Sequence, residues 1–372
     1  MQGFPLLRLP ASMINDILKF CDLQSIFYLS SLSSEYNEAI KRFTSTEVYN
    51  LKVSLCSTEV NDESTTYYGV QVSANGYESF SSAEHFSNVD DVKRVIDYSL
   101  DVFNNLHFDV YIGGVDLAPA CSFDVLKLLM ENDYKFSKMI IGSKLPCDKI
   151  YTYLLDNCAK AESLTIDIDP SETFSYDWKS RSSKQFEFSE LQIENASWVT
   201  AEHLLYLFVG CKSISLCDSR LQSEDVLKFI RRWMEGAENG CNLTDACFSC
   251  DVLPRALFPM LKEEFGAEAL QEVSVNGCAR TFVKEDCFIV QQAEGQKAIV
   301  FFEKDYFQLT TNYKLSNSLK RKAEDVTELD NENISAKESK KEDSIVDNEE
   351  MEDESDTDEE ADEKEDVNDE IL

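Results

Sequence analysis

The sequence predicts an α/β fold in three parts: a trio of short N-terminal helices, a loosely repeating strand-and-helix region closed by a β-hairpin, and an acidic tail. Three observations carry this. Apolar residues recur at helical spacing from Phe4 to Phe43, short alternating apolar runs return from Leu106 to Val275, and the composition breaks near Ser316.

The first stretch reads FPLLRLPASMINDILKFCDLQSIFYLSSLSSEYNEAIKRF. Ile14, Ile17, Leu18 and Cys21 fall at i, i+3, i+4 and i+7, one face of a helix for which Ser12 is the candidate cap. Ile26, Leu29 and Leu32 continue on a second helix, with Asp22 as N-cap. Leu32, Tyr36, Ala39, Ile40 and Phe43 form a third stripe, opened by Ser33 or Ser34. About 40 residues bury too little surface to stand alone, so the trio needs an outside partner or a neighbouring domain to pack on.

The order Leu9-Pro10, Ile14, Ile17-Leu18, Ile26, Leu29, Leu32, Ser33 and Tyr36 resembles the F-box, without a gap. It departs from the family at Cys21, where Leu is usual, at Leu23, where Pro is common, and at Tyr36, where Trp is common. Ser34-Glu35 replace the usual basic residues. The resemblance implies docking on a Skp-type adaptor, with Leu9, Pro10, Ile14, Ile17, Leu18, Leu29, Leu32 and Tyr36 forming the contact and the helical core beneath it.

Next come two strand-like runs, Val48–Leu55 and Tyr67–Val72, separated by a polar turn at 61–66. An amphipathic helix follows over Val89–Phe103, with Val92, Val95, Ile96, Leu100 and Phe103 on its apolar face. Strands are then expected at 108–112, 139–141, 164–168, 191–193, 214–216 and 273–275, and a weak one near 242–248. Helices are expected at 123–130, 149–158, 201–209 and 224–234. A strand-to-strand spacing of about 23 to 28 residues lies within the range of leucine-rich-repeat units. Stacking such units buries an apolar face that one unit cannot hide, and leaves alternate strand positions facing away from the core. Thr165, Asp167, Gln192, Glu194 and Ser215 are those positions, and they make a polar, mildly acidic candidate surface for a protein substrate. An ordinary α/β domain with a solvated sheet face is the other reading.

Leu191-Gln-Ile193-Glu-Asn195, Ser197-Trp198-Val199-Thr200, Leu204-Leu205, Ile214-Ser-Leu216 and Val226-Leu227-Lys-Phe229-Ile230, with Trp233, resemble the F-box-associated type 2 domain of the expanded nematode F-box families. The run from Cys287 to Phe302, followed by Phe307-Gln-Leu309, is similar to its closing hairpin. Gln292 and Glu294-Gly295 stand where the family has a basic residue and Asp-Gly. The resemblance covers about residues 45–312 and supports the F-box reading, because the two modules travel together.

The chain carries 35 Lys+Arg against 70 Asp+Glu, a formal net charge of −35. Such a field repels phosphate backbones, which argues against nucleic acid as a partner. With no signal-peptide pattern and no apolar run of membrane-spanning length, the expectation is no membrane partner and a cytoplasmic or nuclear location. From Ser316 the residues are dominated by Glu, Asp, Ser, Asn and Lys, a composition that cannot offset the entropy of ordering. Residues 316–372 are therefore expected to be a disordered acidic tail. Lys320-Arg321-Lys322 forms a small candidate import cluster, and Ser355 and Thr357 lie in an acidic context that suits acidophilic kinases.

Motifs for catalysis do not occur: there is no GxxxxGK[ST], GxGxxG or GxSxG, and His85, His107 and His203 fit no metal spacing. The twelve cysteines are scattered and read as reduced core thiols. Cys241, Cys247 and Cys250 include a CxxC, but no second pair completes a zinc site. The expectation is a non-enzymatic protein with no cofactor and no metal. Its boundaries are residues 1–45 for the F-box, 46–315 for the substrate-binding α/β region and 316–372 for the tail. As the resemblance implies, it is the substrate-recognition subunit of a cullin-RING ubiquitin ligase, joined through the Skp-type adaptor, with an unknown protein substrate. The alternative is an interaction protein outside any ligase, binding basic proteins through its acidic tail.

Overall fold

In the N-terminal stretch, turn chemistry sets the helix boundaries. The structure is a computed structural model. It describes residues 6–45, 48–60, 63–74, 80–82, 89–103, 105–113, 119–143, 146–180, 185–236, 241–250, 254–275, 277–282 and 286–315. The expected acidic tail, its basic cluster and its two candidate phosphorylation residues lie outside them.

Helix α1 (Ala11–Leu18) starts one residue before the expected Ser12 cap. Pro10 stands at the cap position, and its carbonyl accepts from the N–H groups of Met13 and Ile14 at 2.9 and 3.1 Å. Proline at a helix start costs nothing because its missing N–H would have no helical partner there, and Ser12 falls inside the first turn. Helix α2 (Leu23–Ser30) is capped as expected, with Asp22 Oδ1 accepting from Ser25 N–H at 2.6 Å. Helix α3 (Ser34–Thr44) is capped by Ser33, whose Oγ accepts from Tyr36 N–H at 3.3 Å.

Strands β1 (Tyr49–Val60) and β2 (Glu63–Ala74) form a long antiparallel hairpin whose pairing runs to Val60 and Glu63, so that 63–66 of the expected turn are strand and 61–62 lie outside the described residues. Strand β3 (Phe80–Ser82) adds to its edge, and α4 (Val89–Val102) follows. The chain then alternates: β4 (Leu106–Ile112), α5 (Pro119–Glu131), β5 (Phe136–Ser143), α6 (Asp148–Asn157), β6 (Ala161–Ile168), β7 (Glu190–Ile193), a π-helical turn (His203–Phe208), β8 (Ser213–Leu221), α7 (Ser223–Met234), β9 (Asp245–Cys250) and α8 (Pro254–Phe265). The last part is all strand: β10 (Glu268–Ala269), β11 (Glu272–Val275), β12 (Cys278–Thr281), β13 (Cys287–Gln291), β14 (Lys297–Glu303), β15 (Tyr306–Thr310) and β16 (Tyr313–Leu315).

Among the described residues one sheet has thirteen strands in the order β10-β13-β14-β15-β9-β8-β7-β6-β5-β4-β1-β2-β3. Its middle, β1 and β4 to β9, is parallel, and the strands lie side by side in chain order. Both flanks are antiparallel, made by β2–β3 on one side and by the β13–β14–β15 meander with β10 on the other. Burial alternates along the parallel strands. Leu164, Ile166 and Ile168 on β6 are buried, as are Leu191 and Ile193 on β7 and Ile214 and Leu216 on β8, while between them Thr165, Gln192 and Ser215 are half-buried and Asp167 is exposed.

The expected strand at 273–275 exists but does not belong to this array. β11 pairs instead with β12 and β16 in a separate three-stranded sheet. Period-two alternation marks a strand without naming its neighbour, and here the neighbours come from the turn at Gly277 and from the chain's return at 313–315. The array position is filled by β9, the weaker candidate. The small sheet lies against β14: the Phe282 and Phe301 ring centroids are 5.2 Å apart, and Arg280 sits 5.6 Å over Phe301 and pairs with Glu303 at 2.9 Å. No helix among the described residues is long and apolar enough to cross a membrane.

Candidate protein-interaction surfaces

The N-terminal helices have one packed face and one open face. The packed face meets α4: Lys41 Nζ lies 2.7 Å from Asp101 Oδ1, and Asn37 Nδ2 donates to the same carboxylate at 3.1 Å. Thr44 Oγ1 donates to the Val102 carbonyl at 2.8 Å, and Ser30 Oγ and Tyr98 Oη are 2.6 Å apart. The hydrogen bond from Lys41 holds the Asp101 carboxyl below the ordinary carboxylate range. Ile14, Leu18, Leu23, Ile26, Ile40 and Phe43 are buried.

The residues expected to serve the adaptor are thus sorted by burial. Ile14 and Leu18 are internal, and Leu9, Leu29 and Tyr36 are half-buried. Pro10 and Ile17 are exposed, and Leu32 is 65% exposed. The structure adds three that helical spacing missed: Met13 and Tyr28, both about half exposed, and Phe20 at 92%. They lie off the apolar stripe, on the side that periodicity assigns to solvent. Among the described residues, five of the eight large apolar side chains left open to solvent fall between Met13 and Leu32. Such a concentration makes this stretch a candidate interaction surface.

The second surface is the outward face of the parallel sheet. Tyr111, Ile140, Thr165, Gln192, Ser215, Cys247 and Gln308 form one continuous cross-strand row. The five residues expected on this face are brought together there: Thr165, Gln192 and Ser215 in that row, Asp167 and Glu194 one step along their strands. Gln192 Nε2 donates to Glu194 Oε1 at 2.5 Å. Beside Glu194, Cys217 is pushed up to about 11, by burial first and by the carboxylate second, so it stays a thiol. Of the CxxC pair, Cys247 faces outward and lies 2.9 Å from Gln308 Nε2.

Two cavities border the face. One of about 400 Å³ lies between the small sheet and the row, with Ser215, Cys247, Gln308 and Arg280 in its wall. The other, about 790 Å³, opens at the ends of β6 to β8, where Glu172, Asn195, Asp218 and Arg220 meet Trp198.

Beside this second cavity, Trp198 stands at the centre of an aromatic core with Tyr151, Phe174, Tyr176, His203 and Phe208. Trp198 Nε1 donates to Tyr151 Oη at 3.1 Å, and its ring lies edge-on to Tyr151, Phe174, His203 and Phe208. His203 Nδ1 accepts from Thr200 N–H at 3.1 Å, which leaves Nε2–H to donate to the Tyr176 carbonyl at 2.8 Å. This is the part of the chain that comparison singles out. Residues 183–241 match the F-box associated family. The chain is also similar to the Skn-1 dependent zygotic transcript 15 protein of Caenorhabditis elegans, 26% identical over 214 residues. That match covers 56% of this chain and 59% of the relative, so the chain spans less than two thirds of that relative's length. No solved structure matches. The resemblance to F-box-associated chains of the nematode families holds.

In the F-box associated segment, Gly210 is required by close approach. A Cβ there would lie 2.5 Å from the Phe186 carbonyl oxygen, whose own backbone N–H is bonded to Leu207 O at 2.8 Å. Gly210→Ala is expected to destabilise the fold by about 1–3 kcal/mol, as overpacking does, read as a lower midpoint in urea unfolding. An unchanged midpoint would show that the 186–188 segment yields freely.

The same segment makes stability pH-dependent. Burial lowers the His203 pKa, outweighing the Tyr176 carbonyl, which raises it. The unfolded imidazole takes its proton near pH ~6.5. Between that value and the lower folded one, the unfolded state binds more protons, so stability is full above pH ~6.5 and falls below it. Melting temperature should drop on going from about pH 7.5 to about 5.5, and His203→Gln should flatten that slope. Equal slopes for the two proteins would remove His203 as the cause.

Proposed function

We propose that the chain is the substrate-recognition subunit of a Skp-cullin-F-box ubiquitin ligase. The N-terminal helices act as the F-box and dock on a Skp-type adaptor, while the α/β region, a leucine-rich-repeat-like array, holds a protein substrate. The observation that carries this reading is the pairing of the F-box associated match with a helical trio that leaves Met13, Ile17, Phe20, Tyr28 and Leu32 open to solvent. The parallel strands in chain order support the repeat-array part, since stacked strand-and-helix units produce that arrangement.

Such a subunit makes and breaks no bonds. Its contribution is proximity: holding the substrate near the ubiquitin-conjugating enzyme raises the effective concentration of the reacting groups. Among the described residues no group of three His, Cys, Asp or Glu side chains could hold a metal ion. The test is co-elution of the purified full-length chain with a Skp-type adaptor on gel filtration. Failure to co-elute at micromolar concentrations overturns the reading.

A further inference from the structure

The outward face of the sheet is not uniform in charge. Toward its β1 end, Lys52 and Lys138 flank Asp109, and the Lys52 ammonium lies 4.1 Å over the Tyr111 ring. From β6 to β9 the outward positions are Ser163, Thr165 and Asp167, then Glu190, Gln192 and Glu194, then Ser213, Ser215 and Cys217, then Asp245, Cys247 and Ser249. These include four carboxylates and no lysine or arginine; past the irregularity in β8, its exposed residues Asp218 and Arg220 add one charge of each sign. Arg280, at the border, is committed to Glu303.

Two of the carboxylates, Asp167 and Glu194, are neighbours across the β6–β7 pair. Thr165 pairs with Gln192 and Ile166 with Ile193, and Glu194 N–H donates to Ile166 O at 2.9 Å, so the next step sets Asp167 directly across from Glu194. Strands lie about 4.8 Å apart, and like charges directly opposite one another across a strand pair are destabilising. On the other side Asp167 faces Gly142, whose missing side chain leaves the carboxylate open. A cation placed over this pair relieves the repulsion and gains charge-assisted hydrogen bonds.

We propose that the outward face of β6–β9 binds an extended basic segment of a partner protein, seating a lysine or arginine side chain over Asp167 and Glu194. The small and polar residues of the row, Thr165, Gln192, Ser215 and Cys247, give a shallow track across the strands, and the Gln192 carboxamide oxygen and the Ser215 hydroxyl can accept from the N–H groups of a peptide backbone. The cavity beside Cys247 and Gln308 takes a neighbouring side chain of the same segment. This deepens the substrate-receptor reading by naming the chemistry of its substrate.

The test uses the full-length chain and a labelled peptide of about ten residues, enough to cross four strands at ~3.3 Å per residue. One version carries lysine at alternate positions and a photo-crosslinking group, and a second carries glutamate instead. The lysine peptide should bind, weaken with added salt, and crosslink within residues 163–249, while the glutamate peptide should not bind. Asp167→Asn with Glu194→Gln should lose about tenfold or more in affinity and unfold no earlier than the parent. The tail is present in both proteins, so the difference reports on the sheet alone. Equal affinity in parent and variant, or crosslinks confined to 317–372, overturns the proposal, the latter assigning basic partners to the tail. Adaptor co-elution of the same variant separates the two readings: it should be unchanged, and its loss in the parent sinks the ligase role without touching peptide binding.

Discussion

If the N-terminal helices dock on a Skp-type adaptor as proposed, Ile17→Asp combined with Leu32→Asp is expected to abolish that binding and to leave the fold intact. Leu32 is 65% exposed and Ile17, at 37%, sits at the margin of the packed stripe, so the folded chain loses only about 1 kcal/mol in all. The adaptor complex, in contrast, would bury a carboxylate where an apolar side chain belonged. Losses of about 2 kcal/mol or more at interface anchors are common, and two such sites weaken binding by at least about 100-fold. Gel-filtration titration checks the affinity and circular dichroism the melting temperature. The contrasting variant is Leu18→Asp: that side chain is 1% exposed, so its loss should unfold the helical trio itself. If the doubly substituted protein still co-elutes at parental affinity, the open apolar patch is not the docking face.

Trp233→Ala is expected to cost the most stability of any single truncation within residues 183–241. The indole is fully buried on α7, and its Nε1–H donates to the Leu243 carbonyl at 2.9 Å. That bond pins the end of the helix to the start of β9, the strand that joins the array to its closing meander. Truncating a buried Trp costs about 3–5 kcal/mol, and the orphaned carbonyl adds to it. For a fold of this size the melting temperature should drop by roughly 10 °C. Trp233→Phe separates the terms, since it keeps most of the packing and loses only the hydrogen bond. A shift below about 3 °C for the alanine variant would mean that the α7–β9 junction is held elsewhere.

Local periodicity made the elements legible. Val92 and Ile96 bury the face of α4 that their spacing implies, and Leu164, Ile166 and Ile168 alternate as a half-buried strand must. The outward residues Thr165, Gln192 and Ser215 followed from the same alternation. Pairing was less legible, because it depends on segments far apart in the chain. Val273 and Val275 have the pattern of their neighbours' strands yet pair with 278–281 and 313–315, and β1, besides its hairpin with β2, proved to be the first parallel strand of the array. Within the helical trio, Ile14 and Ile17 share one stripe, but Ile17 lies at its margin and stays open. Met13, Phe20 and Tyr28 did leave a signal. Large apolar residues on the supposedly polar side of very short helices are hard to explain without a partner.

The parallel strands succeed one another in space as they do in sequence, with an antiparallel flap at either end. An extra strand-and-helix unit inserted between two neighbours interrupts one pairing and leaves every other pairing, and both flaps, as they were. Each insertion would lengthen the outward rows by one strand width, about 4.8 Å, and bring its own set of surface residues. A chain built this way can change the length and the charge sequence of its outward sheet face by altering its middle, while the N-terminal helices and the closing meander stay constant.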